Sequence, residues 1–205
     1  MTVSTARACP TAHNIDHNIG QRADHSIDQP AGPTMDSPCG FARPQAVAYQ
    51  PIGLLRSPHK DIAGMPIQPV GACGICGHIE VDPEYAAGLL DLEGFSHVIV
   101  LYHLHRIEGY ELLVRPFLDT EDHGIFATRS PKRPNAIGLS VLELDGVDTA
   151  AGLVRLRNVD ILDGTPVLDI KPYVPAFDAW EAQRIGWFAG KVEAAGTCKA
   201  DERFR

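Results

Sequence analysis

The chain has 205 residues, 44% of them hydrophobic, with 26 acidic against 18 basic side chains and a formal net charge of -8. That is enough apolar material for one good core and a tail, while the acidic balance argues against generic, sequence-independent nucleic-acid binding, which draws its affinity from a basic surface. Five cysteines, odd in number and unevenly placed, make no disulfide framework. The first forty residues lack the continuous apolar stretch of a signal peptide, and the longest apolar run, residues 98–102, is far too short to span a bilayer. The expectation is a soluble, cytoplasmic protein with reduced thiols, no membrane or DNA partner, and only local contact with any RNA.

Residues 1–43 hold no sustained apolar period, and three Arg nearly cancel four Asp. Such a segment buries too little surface to offset its chain entropy and reads as a flexible tail, with His13, His17 and His25 as solvated side chains. From Val47 the texture changes to short apolar runs broken by Gly and Pro, which favours a mainly β fold, a small barrel or sandwich with a few short helices. The domain is placed at residues 44–192, with a C-terminal tail at 193–205. Cys73, Cys76 and His78 form a CGICGH cluster that offers soft metal ligands, with His59 or Cys39 as a fourth. No second ligand pair has matching spacing, so the preferred reading is a glycine-rich loop and no metal; Gly71, Gly74 and Gly77 also miss the G-x-G-x-x-G spacing of a dinucleotide fold.

A first helix is predicted from Asp82 as cap, with Pro83 at its first position, Leu89, Leu90 and Leu92 giving it apolar surface, and Gly94 ending it. His97, His103 and His105 lie at or near the strand that follows. In residues 153–159, alternation puts Leu153, Arg155, Arg157 and Val159 on one face and Val154 and Leu156 on the other. Asp163 to Pro166 reads DGTP, a turn on local sequence alone. A second helix is predicted from Asp178, with Trp180, Arg184 and Trp187 at helical spacing.

The densest chemistry is in residues 125–140, IFATRSPKRPNAIGLS. Arg129, Lys132 and Arg133 fall within five residues of an acidic chain, between strand-like pieces and stiffened by Pro131 and Pro134. A stiff basic loop can hold guanidinium forks for phosphate or carboxylate. Its bland alternative is a proline-rich connector with Arg133 and Asn135 bracing it.

Together with IGLLRSP (52–58), PIQP (66–69), LDLEGFSHVIVLYHLHR (90–106) and VDILDGTPVLDIKPYVP (159–175), this segment resembles the TrmO family, also called YaeB or TsaA-like. The resemblance covers roughly residues 47–192. It implies a β-barrel that binds S-adenosyl-L-methionine outside any Rossmann fold, works as a homodimer, and methylates N6 of the threonylcarbamoyl-modified adenosine beside the tRNA anticodon. Carried onto this chain, the cofactor residues it implies are Gln68, Pro69, His105, Arg106, Arg129, Leu139, Leu162, Asp163, Gly164 and Thr165. Many members have Gln where this chain has Arg106. The chemistry of the set is credible, since Gln68 and turn backbone can bond an adenine edge, Arg129 a carboxylate, and Asp163 an ammonium or hydroxyl.

For the transfer itself, Asp163, Arg129 and Tyr173 are the expected catalytic residues, and Asp160, Asp163, His105 and Tyr173 are the alternatives for a base. Lys132, Arg133, Asn135 and Lys171 are placed around the modified nucleotide of the tRNA anticodon loop, with Tyr173 near the same mouth to stack on a splayed base. Two other functions remain open: a methyltransferase of the same fold acting on another RNA or a small molecule, and a cofactor-binding regulatory module without turnover.

Overall fold

The structure is a computed structural model and describes residues 45–201 and Arg203. The expected tail at residues 1–43 lies outside the described residues, as do its three histidines and Cys39. Six antiparallel strands close a barrel in the order β1 (Gly53–Arg56), β2 (Cys76–Val81), β7 (Leu153–Arg157), β6 (Ile137–Asp148), β3 (His97–His103) and β8 (Thr165–Pro172). A separate two-stranded ribbon joins β4 (Leu113–Val114) to β5 (His123–Gly124). The barrel and its antiparallel pairing are not a Rossmann arrangement, which needs parallel strands around crossover helices.

Period-two patterning fills the interior. In β3 Val98, Val100 and Tyr102 point inward, and they meet Leu55, Ile79, Leu142, Val154, Leu156 and Val167 from the other strands. A barrel this small leaves room only for side chains. β7 follows the predicted alternation, with Val154 and Leu156 buried and Arg155 and Arg157 exposed. Val159 departs from it and is fully buried. Asn158 adopts a left-handed φ of 59°, and that reversal just past the strand end turns Val159 into the core instead of leaving it on the arginine face.

Both predicted helices are corrected. The first becomes two 3-10 segments, Pro83–Leu89 and Leu92–Gly94, separated by Asp91 at φ 65°. A left-handed residue cannot continue an α-helix, and the break lets Leu89 and Leu92 plug the core while Leu90 faces solvent. Asp82 sits at the cap position but makes no side-chain cap bond. In place of the second predicted helix stands a one-turn α-helix, α1 (Pro175–Asp178), that ends at Asp178 instead of beginning there. Its carboxylate reaches back to accept from the Val174 amide at 2.7 Å, which satisfies a donor left over at the helix start, and no helix carries Trp180 and Arg184.

Residues beyond 185 return to the body of the domain. The Trp187 indole nitrogen donates to the Ala127 carbonyl at 2.8 Å, and its ring stacks on His123 and Phe188. A 3-10 turn, Val192–Gly196, follows, and Ala200 exchanges backbone bonds with the 64–65 segment, accepting from the Gly64 amide and donating to the Met65 carbonyl. No helix among the described residues is long and apolar enough to cross a membrane.

Candidate functional site

Antiparallel pairing puts the ends of β1, β3 and β7 and the starts of β2, β6 and β8 on one rim of the barrel. The loops that leave those ends carry PIQP, HLHR, ATRS, IGLS and DGTP, so segments far apart in sequence meet in one place. Arg129 donates from Nη1 to Gln68 Oε1 at 2.7 Å, which joins ATRS to PIQP. His105 Nδ1 lies 3.4 Å from Thr165 Oγ1, which joins HLHR to DGTP. Burial, then the charge of Arg106, holds the His105 imidazole below its ordinary pKa, so it is neutral near pH 7. Arg106 and Leu162 face each other across an open cleft of about 310 Å³ whose other walls are Lys60, Asp61 and Ile62.

The DGTP turn is held from three sides. Gly164 takes φ 73°, a conformation that a side chain would strain, and Thr165 Oγ1 donates to the Leu162 carbonyl at 2.7 Å. Asp163 is committed to the fold: Oδ1 accepts from the Ser57 amide at 3.0 Å and Oδ2 pairs with Lys60 at 2.7 Å. Those bonds, the Lys60 one foremost, keep its carboxyl below the ordinary range. Both oxygens of this residue, expected as a catalytic group and ammonium partner, anchor the 57–60 loop to the turn.

In the basic loop, Arg129 is exposed, whereas Arg133 turns inward. Arg133 Nη1 donates to the carbonyls of Ile125 (3.1 Å), Thr128 (2.9 Å) and Ser130 (3.4 Å). Prolines at 131 and 134 remove two amide donors from this loop, and the guanidinium supplies the deficit; Arg133 is thus a brace instead of the outward RNA contact expected. Lys132 is mostly covered and its ammonium lies 3.9 Å from Glu111. Asn135 is exposed. Lys171 and Tyr173, expected near the same mouth, lie away from this rim. They lie at and just past the far end of β8, where the Tyr173 amide donates to the His97 carbonyl at the start of β3, and six and eight residues of extended chain put them roughly 20 and 25 Å from Thr165.

Three features escaped the sequence reading. Ser130 is 93% buried, at 7% exposure, yet its hydroxyl has no hydrogen-bond partner, an orphan directly beside Arg129. Ser140 faces inward from β6, donates to Asp160 Oδ1 at 2.8 Å and lies 3.1 Å from the Tyr102 hydroxyl. A hydroxyl at an inward position of an otherwise apolar strand is the signal that marks it. Finally, Lys199 bonds the Gly71 carbonyl at 3.3 Å and bridges to Pro66, so the C-terminal segment buttresses the loop that carries Gln68 and Pro69. Cys73 and Cys76 are exposed, and among the described residues no three His, Cys, Asp or Glu side chains gather as metal ligands.

The family model for the tRNA-methyltransferase O N-terminal domain matches residues 54–179. The chain belongs to this family. It is 50% identical over 161 residues to a probable S-adenosyl-L-methionine-binding protein of Pyrococcus abyssi, covering 78% of this chain and 86% of that one. It is 41% identical over 143 residues to a mouse tRNA (adenine(37)-N6)-methyltransferase, covering 63% of this chain and 31% of the mouse protein. The crystal structure of TrmO from Pseudomonas aeruginosa superposes with a TM-score of 0.59 at 39% identity, over 70% of this chain and 63% of that chain. The chain therefore spans less than two thirds of the solved TrmO and under a third of the mouse enzyme.

S-adenosyl-L-methionine suits the donors on this rim. Its carboxylate matches Arg129 with the orphaned Ser130 hydroxyl beside it, and its adenine matches the Gln68 amide and the turn backbone. Leu139, 57% exposed on the outward face of β6 next to Ile137, offers apolar surface to a ring.

Proposed function

We propose that this chain transfers a methyl group from S-adenosyl-L-methionine to N6 of an adenosine in tRNA, and that the acceptor is the threonylcarbamoyl-modified adenosine at position 37, beside the anticodon. The observation that carries this reading is the Arg129–Gln68 bond, which gathers two cofactor motifs over the DGTP rim in a chain of this family. When bound, the cofactor supplies a methyl group activated by its sulfonium. The protein's part is to hold the acceptor nitrogen, methyl carbon and sulfur in line, from which most of the rate can come.

Arg129 orients the carboxylate end, since a planar two-pronged donor fixes both position and angle. Neutral His105 can donate or accept at the mouth without adding a second cation beside Arg106. Arg133 keeps the loop rigid from beneath, so that exposed Asn135, with the Lys132 charge behind it, presents a local contact to the anticodon loop within an acidic protein. The enzyme works as a homodimer in the cytoplasm; light scattering that gives a stable monomer at micromolar concentration overturns the dimer.

The deciding experiment is label transfer from methyl-labelled S-adenosyl-L-methionine to total tRNA, with and without the threonylcarbamoyl group. Label at N6 only when that group is present supports the reading. Transfer to an unmodified tRNA or a small molecule supports a different acceptor, and cofactor binding without transfer supports a regulatory module.

A further inference from the structure

One buried polar network on the site rim has no part in holding the cofactor. Ser140, 2% exposed, donates to Asp160 Oδ1 at 2.8 Å. That leaves its oxygen to accept, and the Tyr102 hydroxyl, 3.1 Å away and 8% exposed, is placed to donate to it. Two hydroxyls in series thus point at one carboxyl. A core barrel strand has no need of such a chain, since apolar residues of the same volume cost less to bury.

The Tyr102 end of the network is also closely packed. A Cβ on Gly138 would lie 2.1 Å from the Tyr102 ring, so Gly138 is the residue that lets the ring lie flat against β6. On that strand Leu139 faces out and Ser140, the next residue, faces in to Asp160. Asp160 in turn sits two residues before Leu162, which walls the cleft. Ser140 is the one side chain that bonds its carboxyl among the described residues, and the Asp160 backbone amide also donates to it.

We propose that Asp160 is the proton acceptor of the methyl transfer, with Ser140 and Tyr102 as positioning residues that fix its carboxylate. The assignment rests on the functional reading above. In the step, the N6 lone pair forms the bond to the methyl carbon while the carbon–sulfur bond breaks and its electrons remain on sulfur. The N6–H proton, made acidic as the lone pair is drawn into the new bond, passes to Asp160 Oδ2 and then to solvent. Burial pushes the Asp160 carboxyl up to about 6, against the Ser140 bond and the Arg129 charge that hold it down. A base of that strength is ionised at pH 7 yet strong enough to accept. The groups that face it are Ser140 from β6, Tyr102 from β3 and Arg129 from the basic loop, and His59 bonds the preceding carbonyl, Val159, at 3.0 Å. The Tyr102 phenol is raised by burial, then by the Asp160 charge, so it stays protonated as a donor.

The test uses the full chain and three readouts. Wild-type transfer to N6 is the control on the functional reading, and its absence overturns that reading and this one together. With transfer established, D160N should lower single-turnover rate by about 10²- to 10⁴-fold and leave calorimetric affinity for S-adenosyl-L-methionine unchanged. A loss below about tenfold, or a parallel loss of cofactor affinity, overturns the proposal. S140A removes a bond that favours the carboxylate, so the acid limb of its rate profile should move to higher pH; an unmoved limb overturns the positioning role, and this variant carries the test if D160N does not fold. Carbon-13 titration of the Asp160 carboxyl in the free protein should show a midpoint near 6, and a midpoint in the ordinary aspartate range overturns the assignment without reference to activity.

Discussion

Arg129 donates to Gln68 across 2.7 Å and 61 residues of sequence, so the residue expected to hold a carboxylate is itself oriented by the residue expected to read an adenine. Substituting either partner should disturb the other. Arg129→Lys should weaken S-adenosyl-L-methionine binding by about 1.5–3 kcal/mol, the range of a hydrogen bond to a charged group, because an ammonium cannot fill the fork. Gln68→Ala should weaken it less. Calorimetry on both variants decides; equal affinity to wild type in Arg129→Lys sinks the cofactor assignment.

Arg133→Ala should behave as a structural lesion. The Thr128 and Ser130 carbonyls lose the Arg133 donor, while Ile125 keeps its bonds from Thr128, and each buried acceptor left unpaired costs about 1–3 kcal/mol. The melting temperature should fall, and affinity for cofactor and tRNA should fall together because Arg129 rides on the same loop. Loss of tRNA affinity alone, in a protein of unchanged stability, would restore Arg133 as a direct RNA contact.

Asp163 links stability to pH. Its folded-state pKa lies below its unfolded value, so its contribution is fully present above the ordinary aspartate range and is lost as pH falls through the folded value. Asp163→Asn keeps an acceptor for the Ser57 amide but loses the Lys60 pair. It should be less stable than wild type at pH 7, with the difference shrinking on acidification below about pH 4. Thermal melts at several pH values check this, and a pH-independent difference contradicts it.

Gly138→Ala should be among the most damaging single-carbon changes in the barrel. The new methyl would overlap the Tyr102 ring, and overpacking of this kind costs about 1–3 kcal/mol. Tyr102→Phe should leave the fold intact, so a melt comparison of the two separates crowding from loss of the hydroxyl.

Truncation should be harmless at one end and costly at the other. Deleting residues 1–38 should leave stability and transfer unchanged, as the composition of that segment implies. Deleting residues 192–205 removes the buried Ala195 and the Lys199 bond to the Gly71 carbonyl, so it should lower both melting temperature and cofactor affinity. Unchanged cofactor affinity in the C-terminal truncation would mean that the 66–71 loop holds its shape unaided.

The sequence by itself determined what local chemistry can encode. Alternation fixed which residues of 153–157 face the core, glycine and proline spacing marked a mainly β chain, and five short motifs in register identified the family and the residues that gather on one rim. It did not determine where a chain reversal changes facing, as Asn158 does for Val159, because a single positive φ leaves no periodic trace. Nor could it separate Lys171 and Tyr173 from the DGTP turn, since closeness in sequence becomes distance along a strand. The tertiary structure alone decided how charges are spent. Asp163 looks catalytic in one dimension, but it bonds Ser57 and Lys60, partners that only barrel closure brings near, whereas Ser140, unremarked in an apolar strand, becomes the middle link of a buried network because Tyr102 and Asp160 lie on either side of it.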